Sequence, residues 1–97
     1  MNATISEVQA MQKAYTKALE IIEGQINRAQ EGMKLSYRLQ QKCAAGSAEG
    51  SFHNGCYFGY QMMDKELFSA KCAIEVQIEK CADTIAAELE HMELGAA

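Results

Sequence analysis

The sequence predicts an all-α fold, an antiparallel hairpin of two long helices that dimerises into a four-helix bundle. The chain has 97 residues and no proline, and 48% of its residues are apolar, which favours long helices over an all-β fold. Apolar side chains recur every three or four residues through two long segments, and a stretch rich in Gly and Ser separates these segments. We expect residues 1–97 to form a single helical-hairpin domain.

The first helix is expected over about residues 5–43, where Thr4 and Glu7 form a capping box at its start. Its apolar seam contains Val8, Met11, Tyr15, Leu19, Ile22, Ile26, Ala29, Met33 and Tyr37. A second row beside the seam widens the apolar surface to about half the helix circumference, more than one neighbouring helix covers. The residues of this row that we predict to mediate self-association are Ala14, Ile21, Gly32, Leu35 and Leu39.

A loop is predicted over about residues 44–54 and the second helix over about residues 55–94. The seam of the second helix is predicted to contain Tyr60, Met63, Leu67, Ala70, Ile74, Ile78, Cys81, Ile85, Leu89 and Met92. In a hairpin with this loop, residues whose numbers sum to about 99 face each other. Cys43 is therefore expected opposite Cys56.

The outer surface of the second helix changes character along its length. Its half nearer the loop is apolar on two faces, and an apolar patch of this kind on a small protein marks an interface. The candidate partner-binding residues here are Phe52, Tyr57, Phe58, Tyr60, Met62, Phe68, Cys72 and Val76. Further along, an acidic face contains Glu75, Glu79, Asp83 and Glu90. We therefore expect an obligate homodimer or higher oligomer.

The distribution of charge supports the antiparallel arrangement. The formal net charge is −4, and the first helix is net basic while the rest of the chain is net acidic. The acidic balance argues against direct binding of nucleic acid. No apolar run is long enough to cross a membrane, and the first residues do not resemble a secretory signal. These features predict a cytoplasmic protein with reduced thiols and no membrane partner.

Few residues have the types and spacing of a metal-binding or catalytic site. Cys43, His53 and Cys56 are weak metal candidates because they supply three of the four ligands of a structural zinc site. A disulfide between the two cysteines and a purely packing role are the alternatives. Glu88 and His91 have the spacing of di-iron bundle ligands, but His91 lies about 100° from the seam. With no phosphate-binding loop and no nucleophile elbow, we expect neither an enzyme nor a cofactor.

The sequence therefore predicts a non-enzymatic interaction protein, an adaptor or inhibitor that acts as a homo-oligomer by binding another macromolecule. We expect that macromolecule to be a protein. One alternative is a phage-type small acidic inhibitor of a host nucleic-acid or defence complex, similar to anti-CRISPR proteins. That likeness is compositional, because the chain is small, acidic and helical and contains cysteine. A further alternative is an oligomer that sequesters a small ligand between its subunits.

A short motif resembles one known family. Tyr57-Phe58-Gly59 is similar to the Trp-x-Gly turn of the WXG hairpin proteins that type VII systems secrete. This resemblance implies a dimeric helical hairpin that is exported intact. The chain departs from the family pattern because tyrosine replaces the tryptophan, the predicted loop is longer and four cysteines are present. The resemblance covers three residues and the chain length, and the family is kept as a further alternative only.

Overall fold

The computed structural model describes residues 4–96 as two α-helices that form a hairpin. Helix α1 spans Ile5–Gln41 and helix α2 spans Ala48–Ala96. No β-strand occurs within the described residues. The predicted all-α class and the helical hairpin are confirmed.

Helix α1 begins where the capping residues place it. The backbone N–H of Glu7 donates to Thr4 Oγ1 at 3.2 Å, and the N–H of Val8 donates to the Thr4 carbonyl at 3.0 Å. The threonine hydroxyl thereby satisfies one of the N–H groups that the first turn of a helix leaves without a partner. This arm of the predicted capping box is confirmed.

The loop between the helices is shorter than the sequence predicted. Helix α2 begins at Ala48, inside the predicted loop of about residues 44–54, because Ser47 caps it. The Ser47 hydroxyl accepts a hydrogen bond from the N–H of Gly50 at 3.1 Å. Gly46 adopts a φ of 76°, a left-handed conformation that glycine enters without steric cost. The glycine and serine content predicted a longer loop. A left-handed turn at Gly46 and a cap at Ser47 are enough to connect the two helices.

The chain contains two compact units. The loop-proximal unit comprises Ile22–Ala70, and the terminal unit comprises Met1–Ile21 together with Lys71–Ala97. Residues 22–70 carry five basic and five acidic side chains and are formally neutral. The terminal unit carries four basic and eight acidic side chains, so the whole net charge of −4 belongs to it.

The register in the loop-proximal unit differs from the predicted one. Gln30 Nε2 donates to Asp64 Oδ1 at 3.4 Å, and the ring centroids of Tyr37 and Tyr57 lie 6.4 Å apart. The numbers in each pair sum to 94 rather than to about 99, as a shorter loop requires.

The predicted pairing of Cys43 with Cys56 is consequently wrong. A Cβ atom placed on Gly50 would lie 3.4 Å from the Cβ of Cys43, so Cys43 packs against the first turn of α2. Cys56 lies almost two helical turns further along α2 than Gly50.

On each helix, the row of residues that faces the other helix has a more regular spacing than the predicted apolar seam. On α1 one row of half-buried or buried residues runs through Ile5, Val8, Gln12, Tyr15, Leu19, Ile22, Ile26, Ala29, Met33, Ser36 and Gln40, and Cys43 continues it just after the helix. The spacings within this row alternate between three and four, which is the heptad period of a left-handed coiled coil. Ala18, Gly24, Gly32 and Leu39 are half-buried beside the row. On α2 the same alternation runs through Gly50, His53, Tyr57, Tyr60, Asp64, Leu67, Lys71, Ile74, Ile78, Cys81, Ile85 and Glu88, of which Tyr60 alone is exposed.

Several predicted seam residues therefore lie outside the seam. The exposed ones are Met11, Tyr37, Met63, Ala70, Leu89 and Met92. Polar residues occupy the neighbouring heptad positions, among them Gln12, Ser36, Asp64 and Glu88. The prediction followed side-chain hydrophobicity, whereas the two helices keep contact at an average of 3.5 residues per turn whatever residues occur there.

Candidate functional site

The hairpin has very little core of its own. Among the described residues only Val8, Ala29, Ser36 and Cys81 are buried, whereas fourteen large apolar side chains are exposed. The chain exposes 7337 Å² of surface. A folded monomer of this mass usually exposes about 5500 Å². The apolar surface outside the seam is therefore the feature of the molecule that requires an explanation.

One side of the seam in the loop-proximal unit forms a surface that we call the glycine flank. Its members are Gln25, Arg28, Gly32, Leu35 and Leu39 of α1 and Phe52, Cys56, Gly59, Met63, Glu66 and Ala70 of α2. A groove of about 320 Å³ runs along it and is lined by Gln25, Arg28, Ala29, Tyr60, Met63 and Leu67. The flank combines small residues, exposed apolar side chains and charges of both signs.

A close contact between the helices shapes the glycine flank. A Cβ atom on Gly32 would lie 2.6–2.7 Å from three atoms of the Tyr60 ring. The ring therefore lies directly against the Gly32 backbone, and any side chain at this position would have to displace it. Tyr60 was predicted both as a seam residue and as a partner-binding residue, and the structure places its ring in the seam, with 38% of the residue still exposed.

The five predicted self-association residues share one row of α1. Gly32 and Leu39 are half-buried at the edge of the seam, whereas Ala14, Ile21 and Leu35 are exposed. Ile21 is 60% exposed, an unusual state for an isoleucine side chain in a helix that already has a packing partner. The row is therefore available for contact with another molecule.

The other side of the seam forms a second surface, the lysine flank. Its members are Asn27, Gln30, Lys34, Tyr37 and Gln41 of α1 and Ser51, Asn54, Phe58, Gln61, Lys65 and Phe68 of α2. A groove of about 400 Å³ opens on this flank and is lined by Gln30, Met33, Lys34, Tyr37 and Tyr57. Sequence reasoning missed Gln30, Lys34 and Tyr37 as surface features, because only the observed register brings them beside Tyr57.

The predicted partner-binding residues do not form one patch. Phe52 lies on the glycine flank, and Phe58 and Phe68 lie on the lysine flank, where the Phe58 ring meets the Tyr57 ring edge-on at 5.6 Å. Tyr57 is half-buried in the seam. The remaining members, Met62, Cys72 and Val76, are exposed on α2.

The cysteine and histidine residues near the loop do not assemble. Cys43 Sγ donates to the Leu39 carbonyl at 3.2 Å, and all four thiols are free. The His53 ring instead packs edge-on against Phe52 at 5.4 Å. Within residues 4–96 no three His, Cys, Asp or Glu side chains come together as a metal ion would require. The Cys43–Cys56 disulfide also fails, because these residues do not face each other.

The acidic residues of α2 are exposed, as the sequence predicted. Glu75, Glu79, Asp83 and Glu90 all face solvent. Glu88 is half-buried on the seam whereas His91 is exposed, so the two do not share an inward face. Within the part of the chain that the structure describes, neither helix contains a segment apolar enough to cross a bilayer.

Comparison with models of protein families, with curated proteins and with solved structures finds no match to this chain.

Proposed function

We propose that this protein is a non-enzymatic interaction module that works as a homo-oligomer, in the simplest case a dimer of hairpins forming a four-helix bundle, and that binds another protein. The observation that carries the proposal is the small core: among the residues whose burial the structure describes, four are buried and fourteen large apolar ones are exposed. A second copy that covers part of this surface would supply the burial that one hairpin lacks.

The exposed area fits this proposal in magnitude. The surface of 7337 Å² exceeds the usual value for this mass by roughly 1800 Å². Each partner in a standard interface loses about 800 Å². The excess is therefore large enough for one interface with a second copy and a further interface with a different protein.

The glycine flank is the better of the two flanks for self-association. Most oligomers are symmetric dimers, in which the same patch on each copy faces itself. Arg28 and Glu66 provide one charge of each sign on this flank, so two copies can pair them across the interface. Gly59 and Ala70 are small and exposed, which lets a partner helix approach closely. The lysine flank has Lys34 and Lys65 as its only charged members, so its own positions offer a second copy no pair of opposite charges.

Sedimentation equilibrium of the wild-type chain tests the proposal directly. We expect a mass of at least twice 10.7 kDa at micromolar concentration, together with a helical far-UV spectrum. A folded species of 10.7 kDa at that concentration would contradict the proposal.

A pair of variants locates the interface. Leu35→Ala removes an exposed apolar side chain from the glycine flank and should weaken self-association by about tenfold, since a buried leucine contributes roughly 1.5–3 kcal/mol. Ala10→Glu is the control, because Ala10 is exposed on α1 outside both flanks. Equal dissociation constants for Leu35→Ala and the wild type would exclude this part of α1 from the interface.

A further inference from the structure

The glycine flank carries one basic and one acidic residue at the same level of the hairpin. Arg28 lies on the α1 edge of the flank and Glu66 on its α2 edge, and both residues are exposed. Their numbers sum to 94, as do those of Gln30 and Asp64, whose side chains form a hydrogen bond between the helices. The two charges therefore lie opposite each other on the two edges of the flank.

The neighbouring charges do not cancel this pattern. Glu31 lies on the outer face of α1, about 60° round the helix from Arg28, and Lys65 belongs to the lysine flank. Lys42 follows α1 and continues the row of Arg28. Within residues 22–70 the α1 edge therefore carries only positive charge, and the α2 edge carries only the negative charge of Glu66.

Side-chain size is matched between the two edges at a second level. Leu35 of the α1 edge is 53% exposed, and its number also sums to 94 with that of Gly59 on the α2 edge. A Cβ atom on Gly59 would meet nothing within 4 Å, so the α2 backbone is open there. One edge thus presents a base and a large apolar side chain, and the other presents an acid and an open backbone at the same two levels.

The symmetry of a dimer decides whether these features meet. Two copies that pair through one flank are related by a two-fold axis in the interface, and this axis runs either along the helices or across them. An axis along the helices places both loops at the same end and packs each α1 against the α2 of its partner. Levels are then preserved, so Arg28 meets the partner's Glu66, and Leu35 meets the partner's Gly59.

An axis across the helices gives a different set of neighbours. It places the loops at opposite ends and packs α1 against α1 and α2 against α2. Within residues 22–70 the α1 edge offers Arg28 no acid, and the α2 edge offers Glu66 no base. Only the arrangement with both loops at the same end therefore uses the complementary charges and sizes of the two edges.

From these observations we propose that two copies pair through their glycine flanks with both loops at the same end, joined by two ion pairs between Arg28 and the partner's Glu66. Each Leu35 side chain fills the space over the partner's Gly59. The excess surface of roughly 1800 Å² is more than the about 800 Å² that each copy loses in a standard interface. This inference rests on the proposed self-association and adds the orientation of the partner copy.

Reversal of one charge at a time tests the orientation. Arg28→Glu and Glu66→Arg should each weaken self-association by about tenfold, since both ion pairs of the homodimer become repulsions. A mixture of equal amounts of the two variants restores both pairs with their signs exchanged. Heterodimers should therefore make up about nine-tenths of the dimers, against about one half for random pairing. Native mass spectrometry distinguishes the three dimers by mass.

Two controls separate this arrangement from the one with loops at opposite ends. A mixture of the wild type with Arg28→Glu should pair at random, because its heterodimer contains one attraction and one repulsion. Preferential pairing in this mixture would instead place Arg28 against the partner's Arg28. Arg38→Glu is the matched control, because it makes the same change of charge at an exposed residue on the outer face of α1 and should associate like the wild type.

Random pairing of Arg28→Glu with Glu66→Arg would overturn the proposal. The double variant Arg28→Glu/Glu66→Arg should self-associate as tightly as the wild type, which shows that charge and not misfolding weakens the single variants. A double variant as weak as the single ones would also contradict the ion pairs. A wild-type chain that sediments as a folded monomer removes the proposed function itself. An oligomeric wild type whose variants pair at random removes only the orientation proposed here.

Discussion

The stability of the hairpin should depend on the absence of a side chain at position 32, because the Tyr60 ring lies against the Gly32 backbone. Gly24 and Gly32 lie on the same helix, but a Cβ atom on Gly24 would meet nothing within 4 Å, whereas one on Gly32 would meet the Tyr60 ring at 2.6–2.7 Å. The same substitution at the two positions should therefore have opposite effects.

We expect Gly24→Ala to raise the free energy of unfolding by about 1 kcal/mol, because alanine favours the helix and reduces the freedom of the unfolded chain. Gly32→Ala should lower it by about 1–2 kcal/mol, because the cost of overpacking exceeds that gain. Urea unfolding at one protein concentration, followed by circular dichroism, measures both changes.

Tyr60→Ala provides the control for this pair. In a protein that already carries Tyr60→Ala, the added Gly32→Ala substitution should become neutral or stabilising, since the clash is gone. A Gly32→Ala variant as stable as Gly24→Ala in the presence of Tyr60 would contradict the close contact.

At the scale of the helices, the start of α2 is the sharpest departure from expectation. Residues 48–54 are helical although Gly50 and Ser51 suggested a loop. The N–H of Ser51 donates to the Ser47 carbonyl at 3.0 Å, which begins the hydrogen-bond ladder of the helix. Asn54 is therefore an interior helical position rather than the last residue of a loop.

A proline at position 54 tests whether this residue lies inside helix α2, as in the structure, or at the end of a loop, as the sequence predicted. Asn54→Pro should lower the free energy of unfolding by about 3 kcal/mol, because proline removes a helical hydrogen bond and clashes with the preceding turn. Asn54→Ala is the control at the same site and should be neutral or stabilising. Thermal unfolding followed at 222 nm reports both. Tolerance of proline would indicate that helix α2 begins later.

Some features of the helices are set by local sequence patterns and others by the contact between the helices. The two helices and the capped start at Thr4 follow from local patterns, because apolar period and capping chemistry act over a few residues. The seam was predicted only in part, since Gln12 and Ser36 contact the other helix through the heptad geometry and not through hydrophobicity. The predicted register was derived from the predicted loop. The error in the loop length therefore shifted every predicted pair of facing residues.

At the scale of the whole molecule, self-association should be visible in the unfolding of the wild-type chain. Folding that is linked to dimerisation becomes more favourable as protein concentration rises. Over about a hundredfold range of concentration we expect the melting temperature to increase by roughly 5–10 °C. Scanning calorimetry at several concentrations measures the shift. A melting temperature independent of concentration would contradict an obligate oligomer.

Only part of the candidate surfaces could be predicted, because some of their features lie on one helix and others are formed by both. The five residues predicted to mediate self-association share one row of a single helix, so periodicity alone identifies that row. The groove lined by Tyr37 and Tyr57 could not be identified in this way, because its walls come from different helices and meet only in the observed register. Features that belong to one helix are predictable from periodicity, and features that two helices share require the alignment between them.

The glycine at position 32 also bears on how that alignment is chosen. A seam with a regular heptad period allows one helix to slide by seven residues along the other while the contact positions still coincide. After such a slide, Tyr60 would face Gln25 or Leu39, whose side chains fill the space that its ring occupies at Gly32. The missing side chain at position 32 therefore favours the observed alignment of the two helices over alignments shifted by one heptad.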